Sequence, residues 1–149
     1  MSTAPRAALA DGLKEGVKQG LYAYYALFKI IVPVYIVIAL LKLIHVVDWL
    51  AQAFSPFMKF WGLPGEASLV LVSGWTVNLY GAIAALAGLD FTVRQVTILA
   101  IILSISHSLV METAIVGRMK GRPWLILILR LITGLAAGAV LNLILPGVL

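Results

Sequence analysis

The sequence has no cysteine, two histidines and six acidic residues among 149 positions. Without cysteine there are no disulfides, thiolate metal sites or cysteine nucleophiles. The two histidines stand in no zinc-ligand spacing with a glutamate, and no phosphate-binding glycine loop occurs. His107 and Ser108 are adjacent, so on a helix their side chains diverge by about 100° and cannot form the nucleophile–base hydrogen bond of acyl transfer. No catalytic residue, metal or cofactor is expected, and the chain reads as a non-enzyme. Charge is scarce too, at 11% of residues against 62% hydrophobic, far from the balance of a soluble domain. The net charge of +5 does not imply nucleic acid, because the basic residues stand at segment ends and in one short loop rather than on a clustered face.

What is there is apolar length. The mean hydropathy is +1.07, and apolar runs cover Phe28–Val47, Glu66–Leu89, Val93–Val116 and Pro123–Leu145, each near or above the roughly 20 residues that cross a bilayer core. The composition implies a multi-pass integral protein of a cell (inner) membrane with the lipid bilayer as its first partner. Ala51-Gln52-Ala53 resembles a signal-peptide cleavage site, but the run before it exceeds the usual h-region, so cleavage is not expected. So few helices do not enclose a solute path in one copy. A homo-oligomer or a homologous partner subunit is expected.

Residues 1–26 read as an N-terminal amphipathic interfacial helix: Leu9, Leu13, Val17, Leu21 and Tyr24 recur every three or four residues, with Asp11, Lys14, Glu15 and Lys18 elsewhere. The alternative is an extended basic N-terminus. Gly12, Gly16 and Gly20 form a stripe that admits a close neighbour. Residues 27–149 read as one transmembrane domain. Its first span, from Phe28, carries Pro33 in its first turns, and His45 near its far end reads as interfacial. Asp48 can cap a helix, and the aromatic stretch from Trp49 to Trp61, interrupted by Pro56, suits the headgroup level.

Gly62–Gly88 is too interrupted for a plain span. Glu66 falls at a helix start, where an acid complements the macrodipole. Ser73-Gly74 marks a break, about 12 Å in at 1.5 Å per residue, and Thr76 and Asn78 follow. The segment is either one continuous helix or a re-entrant hairpin that leaves on the side it entered. The hairpin puts Arg6, Lys14, Lys18, Arg118, Lys120 and Arg122 on one side, cytoplasmic by the positive-inside rule, and is therefore favoured. The fold class is an all-α integral membrane protein, with the N-terminal helix, about three full transmembrane helices and a broken or re-entrant helical hairpin.

On a continuous Val93–Val116 helix, Thr97, Ser104, His107, Ser108 and Glu112 share one stripe, which faces protein or water rather than lipid. On the last span Arg130, Gly134, Gly138 and Asn142 are spaced four apart, a GxxxG-type face that packs on a neighbour, in this chain or a second protomer. Glu112 and Arg130 lie at similar depth below the 117–123 loop. They serve either as a structural ion pair or, with His107 one turn from Glu112, as a proton or solute site. Ser73, Gly74, Thr76, Asn78, Ser104, His107 and Ser108 are the candidate substrate-binding residues.

With these residues in hand, the chain resembles the nucleoside-recognition or Gate domain family, which includes spore maturation proteins A and B. The resemblance rests on Gly12-Leu-Lys-Glu-Gly16 followed by Gly20, the proline-led span from Pro33, the Asp48-Trp49 step and, most specifically, Trp61-Gly-Leu-Pro-Gly-Glu-Ala67. It covers most of the chain and thins after about Ala87. It implies broken or re-entrant helices and, for function, a half-unit that pairs with itself or an inverted homologous partner to transport a nucleoside, another small polar solute or an ion. The alternative is a non-transporting membrane scaffold or maturation factor. The absence of cysteine speaks against iron.

Overall fold

A computed structural model describes the backbone of residues 4–145 and the side chains of 11–145. The regular structure of the described residues is all helical: α1 (Ala4–Leu43), α2 (Val46–Met58), a 3-10 turn (Lys59–Trp61), α3 (Ala67–Thr76), α4 (Leu79–Ala87), α5 (Val93–Ser106), α6 (Leu109–Arg118) and α7 (Pro123–Ile144). Asp11–Leu43, Val93–Arg118 and Pro123–Ile144 are each long and apolar enough to cross a membrane. α3 and α4 are too short to do so alone. The helices pack in a row, α1 on α4, α4 on α3, α3 on α5 and α5 on α7. The core runs along that row through Ile38, Val70, Leu71, Ala82, Ala85, Ile98, Leu99 and Ile102.

α3 and α4 form a hairpin, and its two outer ends lie together. The Lys42 ammonium, at the far end of α1, donates to the Gly88 carbonyl at 3.1 Å and pairs with Asp90 at 3.6 Å. Glu66, at the start of α3, feels the charges of Lys42, Asp90 and Asp48. The segment thus enters and leaves at one surface. Ten residues of α3 descend about 15 Å, half the depth of a ~30 Å core, so the hairpin tip lies near the midplane. Arg94 at the head of α5 bonds the Asn142 and Leu145 carbonyls at the tail of α7, which places that tail at the same surface as the hairpin mouth and the 117–123 loop at the opposite one.

Four expectations need correction. The interfacial helix and the first span are one uninterrupted helix, α1, because nothing between Gly20 and Pro33 breaks it. Pro33 accordingly lies deep inside α1, not in its first turns. α2 begins at Val46 and runs through Pro56, and Asp48 does not cap it but sits in its first turn, 2.8 Å from His45 Nδ1. The span from Val93 is not continuous: it breaks at His107–Ser108, with Ser108 in the left-handed region at φ 53°.

The Trp61–Ala67 motif is the hinge between α2 and the hairpin. Trp61 Nε1 donates to the Leu135 carbonyl of α7 at 2.7 Å. Gly62 takes φ 64°, which only glycine adopts without strain. Leu63 is buried in the core, and a Cβ at Gly65 would collide with the Ala51 carbonyl of α2. The exposed Trp49, Phe57 and Phe60 then line the surface at the mouth, where aromatic rings suit the headgroup level.

This arrangement fixes sidedness. Single cysteines replacing Trp49 and Asp90, read with an impermeant thiol reagent in sealed vesicles, are expected to label from the same face, and a cysteine replacing Met119 from the other. Labelling of Trp49→Cys and Asp90→Cys from opposite faces would mean that residues 66–88 cross the membrane once.

Candidate functional site

The two helix interruptions meet. At the first, Asn78 is the N-cap of α4, its Oδ1 accepting from Gly81 N at 3.0 Å, as its residue type favours. The break therefore lies at Val77–Asn78, not at Ser73-Gly74, through which α3 runs on. Gly74 is small for a different reason: a Cβ there would press on Leu103 of α5 and on Ala82 of α4. This contact brings in the second break. The Ser108 N–H leaves its own helix and donates to the Gly74 carbonyl at 2.8 Å. In a continuous helix it would bond Ser104 O, and Leu109 N would bond Ile105 O. Instead the Ile105 carbonyl accepts from Arg130 Nε of α7 at 2.7 Å.

The candidate side chains do not converge on one cavity. Ser73 lines a space of about 310 Å³ between α1 and α3, bordered by Pro33, Val34, Val37, Leu69 and Val77. Ser104 borders a separate one of about 290 Å³ between α4 and α5, with Leu79, Ile83, Val96 and Leu103. Both are apolar. Thr76 and Ser104 are exposed on the bundle and bond their own carbonyls four residues back, each at 2.7 Å. Gly74, His107 and Ser108 do gather at the break. His107 Nδ1 lies 2.9 Å from the Leu103 carbonyl, so this nitrogen carries a proton and donates. Nε2 makes no hydrogen bond among the described residues. Ser108 is 5% exposed, with its backbone used and its hydroxyl making no hydrogen bond among them.

Just below, Glu112 pairs with Arg130 Nη1. Arg130 thus ties the Ile105 carbonyl, freed by the break, to a carboxylate one turn beyond Ser108. A lone charge at that depth is costly, and pairing offsets the cost.

Two groups escaped the sequence reading. Trp75 Nε1 donates to Ser106 Oγ at 3.0 Å, and Ser106, fully buried, donates on to Ile102 O at 2.7 Å. The signal was a tryptophan placed mid-segment, away from the interface where its N–H finds water. Arg94 is held by Asn142, which in turn donates to the Phe60 carbonyl at 3.1 Å. A charge opening one span and an amide closing the next was the available clue. The Gly134 and Gly138 face lies within this chain, against Ile102 and Ser106 of α5, and does not face a second protomer.

Glu66 is separate from the break, at the hairpin mouth. Burial pushes its carboxyl above the ordinary value. Lys42 opposes this, and Asp90 and Asp48 reinforce it. A raised native value means that the folded state binds more protons, so the stability present below the unfolded carboxylate range is lost as pH rises through the raised native one. Melting in detergent is expected to fall over that window in the wild type and to be flatter in Glu66→Gln. Equal slopes would refute the assignment. For the ion pair, Glu112→Gln is expected to destabilise by about 2–3 kcal/mol, the order of an unpaired arginine inside a membrane. Adding Arg130→Met should recover much of the loss, read as a double-mutant cycle. Additive losses would mean that the pair is not coupled.

Residues 24–122 match the family described as nucleoside recognition, Gate. The Bacillus subtilis (strain 168) protein named uncharacterized membrane protein YvoD is 37% identical over 132 residues, which is 89% of this chain and 42% of that one. Inner membrane protein YjiG of Escherichia coli (strain K12) is 33% identical over 102 residues, 62% of this chain and 67% of its own. This chain therefore spans less than half of the Bacillus relative. No solved structure matches it.

Proposed function

We propose a transport-type role for this chain, which belongs to the nucleoside-recognition (Gate) family and is a multi-pass membrane protein: a half-unit that joins a second copy or a homologous partner to bind a small polar solute or ion near the midplane. The observation that carries this reading is the meeting of the Val77–Asn78 and His107–Ser108 breaks. Glu66 and Asp90 mark one surface. From there α3 descends about 15 Å and α5, 14 residues long, about 21 Å, so both interruptions fall near the middle of the bilayer. Interrupted helices at that depth are where broken-helix transporters bind, through half-helix termini and unwound backbone. The first amides of α6 lie at such a terminus. At the breaks, His107 Nε2, the Ser108 hydroxyl and Asn78 Nδ2 make no hydrogen bond among the described residues and keep hydrogen-bonding capacity. Of the candidates, Asn78 and Gly74 shape the break, while Ser73, Thr76 and Ser104 stand back from it.

A scaffold without transport is the second reading. It is favoured by the satisfaction already present: Asn78 Oδ1, Ser106 and His107 Nδ1 each have a partner within the chain, and both cavities are apolar.

A thermal-shift screen of nucleosides, small carboxylates and cations on wild type, Asn78→Ala and His107→Ala separates the two. Transport predicts that one class raises the wild-type melting temperature and that His107→Ala, still folded, loses the response. The scaffold predicts no response, with Asn78→Ala losing about 1 kcal/mol of stability as a helix cap. No hit from any class would overturn the transport reading.

A further inference from the structure

The turn between α6 and α7 is fixed by its backbone. Gly121 N donates to Val116 O at 3.0 Å and Lys120 N to Gly117 O at 3.2 Å, the 6→1 and 5→2 bonds of a Schellman close. The left-handed position of that motif usually belongs to glycine. Here Lys120 holds it, at φ 57°, a conformation that costs a residue with a Cβ. Gly121 stands one place later, where a Cβ would come within 2.7 Å of Val116 Cγ1. The backbone gives no reason for a lysine at this position, and neither do contacts inside the protein: Lys120 is exposed and makes no ion pair or hydrogen bond among the described residues.

Arg118, the last residue of α6, and Arg122, just before α7, are in the same state, exposed and unpaired among the described residues. α6 and α7 contain one acid, Glu112, and Arg130 holds it. The three cations of the turn are therefore uncompensated.

Depth says what can meet them. α7, with 22 residues, is about 33 Å long, and α5 and α6, with 14 and 10, together about 36 Å. Both rise from the surface of the hairpin mouth, and the hydrocarbon core takes up ~30 Å of that height. The turn consequently emerges only about 3–6 Å beyond the core, inside a headgroup layer that adds roughly 5–8 Å on each side. Trp124, 71% exposed at the head of α7, stands at the same level, as interfacial indoles do. A soluble acidic protein would have to enter this layer to reach the three charges. A phospholipid phosphate is already there.

We propose that Arg118, Lys120 and Arg122 form a binding site for the phosphate of an anionic phospholipid, in the leaflet opposite the hairpin mouth. The positive-inside rule asks for basic residues in this loop but is indifferent to their order. Headgroup binding accounts for the order, with an exposed lysine kept at the strained position between two arginines. Each guanidinium offers paired N–H donors to phosphate oxygens, and the ammonium adds a compact charge. The site does not depend on the transport reading and is tested without a solute.

The test uses the full-length protein in phosphatidylcholine nanodiscs, with a fluorophore on Met119→Cys, the single cysteine of the chain. Quenching by trace phosphatidylglycerol, spin-labelled high on an acyl chain, is expected to exceed quenching by phosphatidylcholine with the same label, and the difference to shrink with added salt. A basic residue near an anionic surface is worth roughly fivefold in affinity, so Lys120→Gly and Arg122→Gln should each weaken the preference about fivefold, and together about twenty-five-fold. Lys120→Gly should at the same time raise the melting temperature in zwitterionic detergent, because glycine adopts a positive φ without strain; this separates loss of the charge from damage to the turn. Lys59→Gln, exposed at the opposite surface, should leave the preference unchanged. Equal quenching by the two lipids, a preference that survives Lys120→Gly with Arg122→Gln, or one lost equally in Lys59→Gln would overturn the proposal. So would full displacement by glycerol phosphate added to the buffer, which would make this a site for a free phosphate.

Discussion

The fold rests on one constraint, that a backbone N–H or C=O at membrane depth must find a partner inside the protein. Two helices stop at midplane here, and each interruption would strand several such groups. The bond from Ser108 N to Gly74 O is the joint that makes both stops tolerable, because a donor released by one helix is taken by a carbonyl of the other. The remaining groups are settled by side chains: Asn78 takes an amide at the head of α4, and Arg130 takes the Ile105 carbonyl. Arg130 is a charge, so Glu112 must follow. The ion pair is thus a consequence of the break, not a neighbouring feature.

Glycine makes the joint reachable. The Gly74 carbonyl comes within hydrogen-bonding distance of α6 because α3 and α5 approach without a Cβ between them, and α7 comes as close to α5 through Gly134 and Gly138. In lipid there is no hydrophobic drive to bring helices together, so close packing and interhelical hydrogen bonds do it. Trp61 illustrates both: its ring edge lies against the Gly138 backbone and its N–H bonds the Leu135 carbonyl of the same helix. The same logic explains why Trp75 and Ser106 are paired. Each would be costly to bury unpaired, and together they fasten α3 to α5 just above the break.

What could be read from sequence follows the same physics. Apolar length gave the spans, the placement of basic residues gave the hairpin, and the match in depth of Glu112 and Arg130 placed two opposite charges within reach. The position of the breaks was not legible. Ser73-Gly74 looks like an interruption because serine and glycine weaken helices, yet helix α3 persists there and the glycine serves contact. Val77–Asn78 holds no glycine or proline, and asparagine acts as a cap only once the chain has turned. Ser108 adopts a left-handed conformation because a tertiary bond holds it there, and no local preference announces that. The length of α1 was hidden for a related reason: a change in amphipathic pattern near Tyr25 marks a change of surroundings, from water to lipid, and not the end of a helix.

The distribution of ties gives the bundle two unlike ends. At the hairpin mouth, Lys42 holds α1 to the end of α4, Arg94 holds α5 to the tail of α7, Trp61 holds the 3-10 turn to α7, and Asn142 holds that turn from the other direction. At the opposite surface the side-chain tie among the described residues is the Glu112–Arg130 pair, with α6 packed along α7 and joined to it by the short 117–123 loop. A solute arriving at the break would meet His107 Nε2 and the amides of α6 before any bond had to be given up. To go further it would have to displace the Ser108–Gly74 bond, and a buried group left unsatisfied costs about 1–3 kcal/mol. On the proposed reading, binding that ended at His107 would therefore be cheap, and binding that passed it would have to replace the joint on which the two half-helices depend.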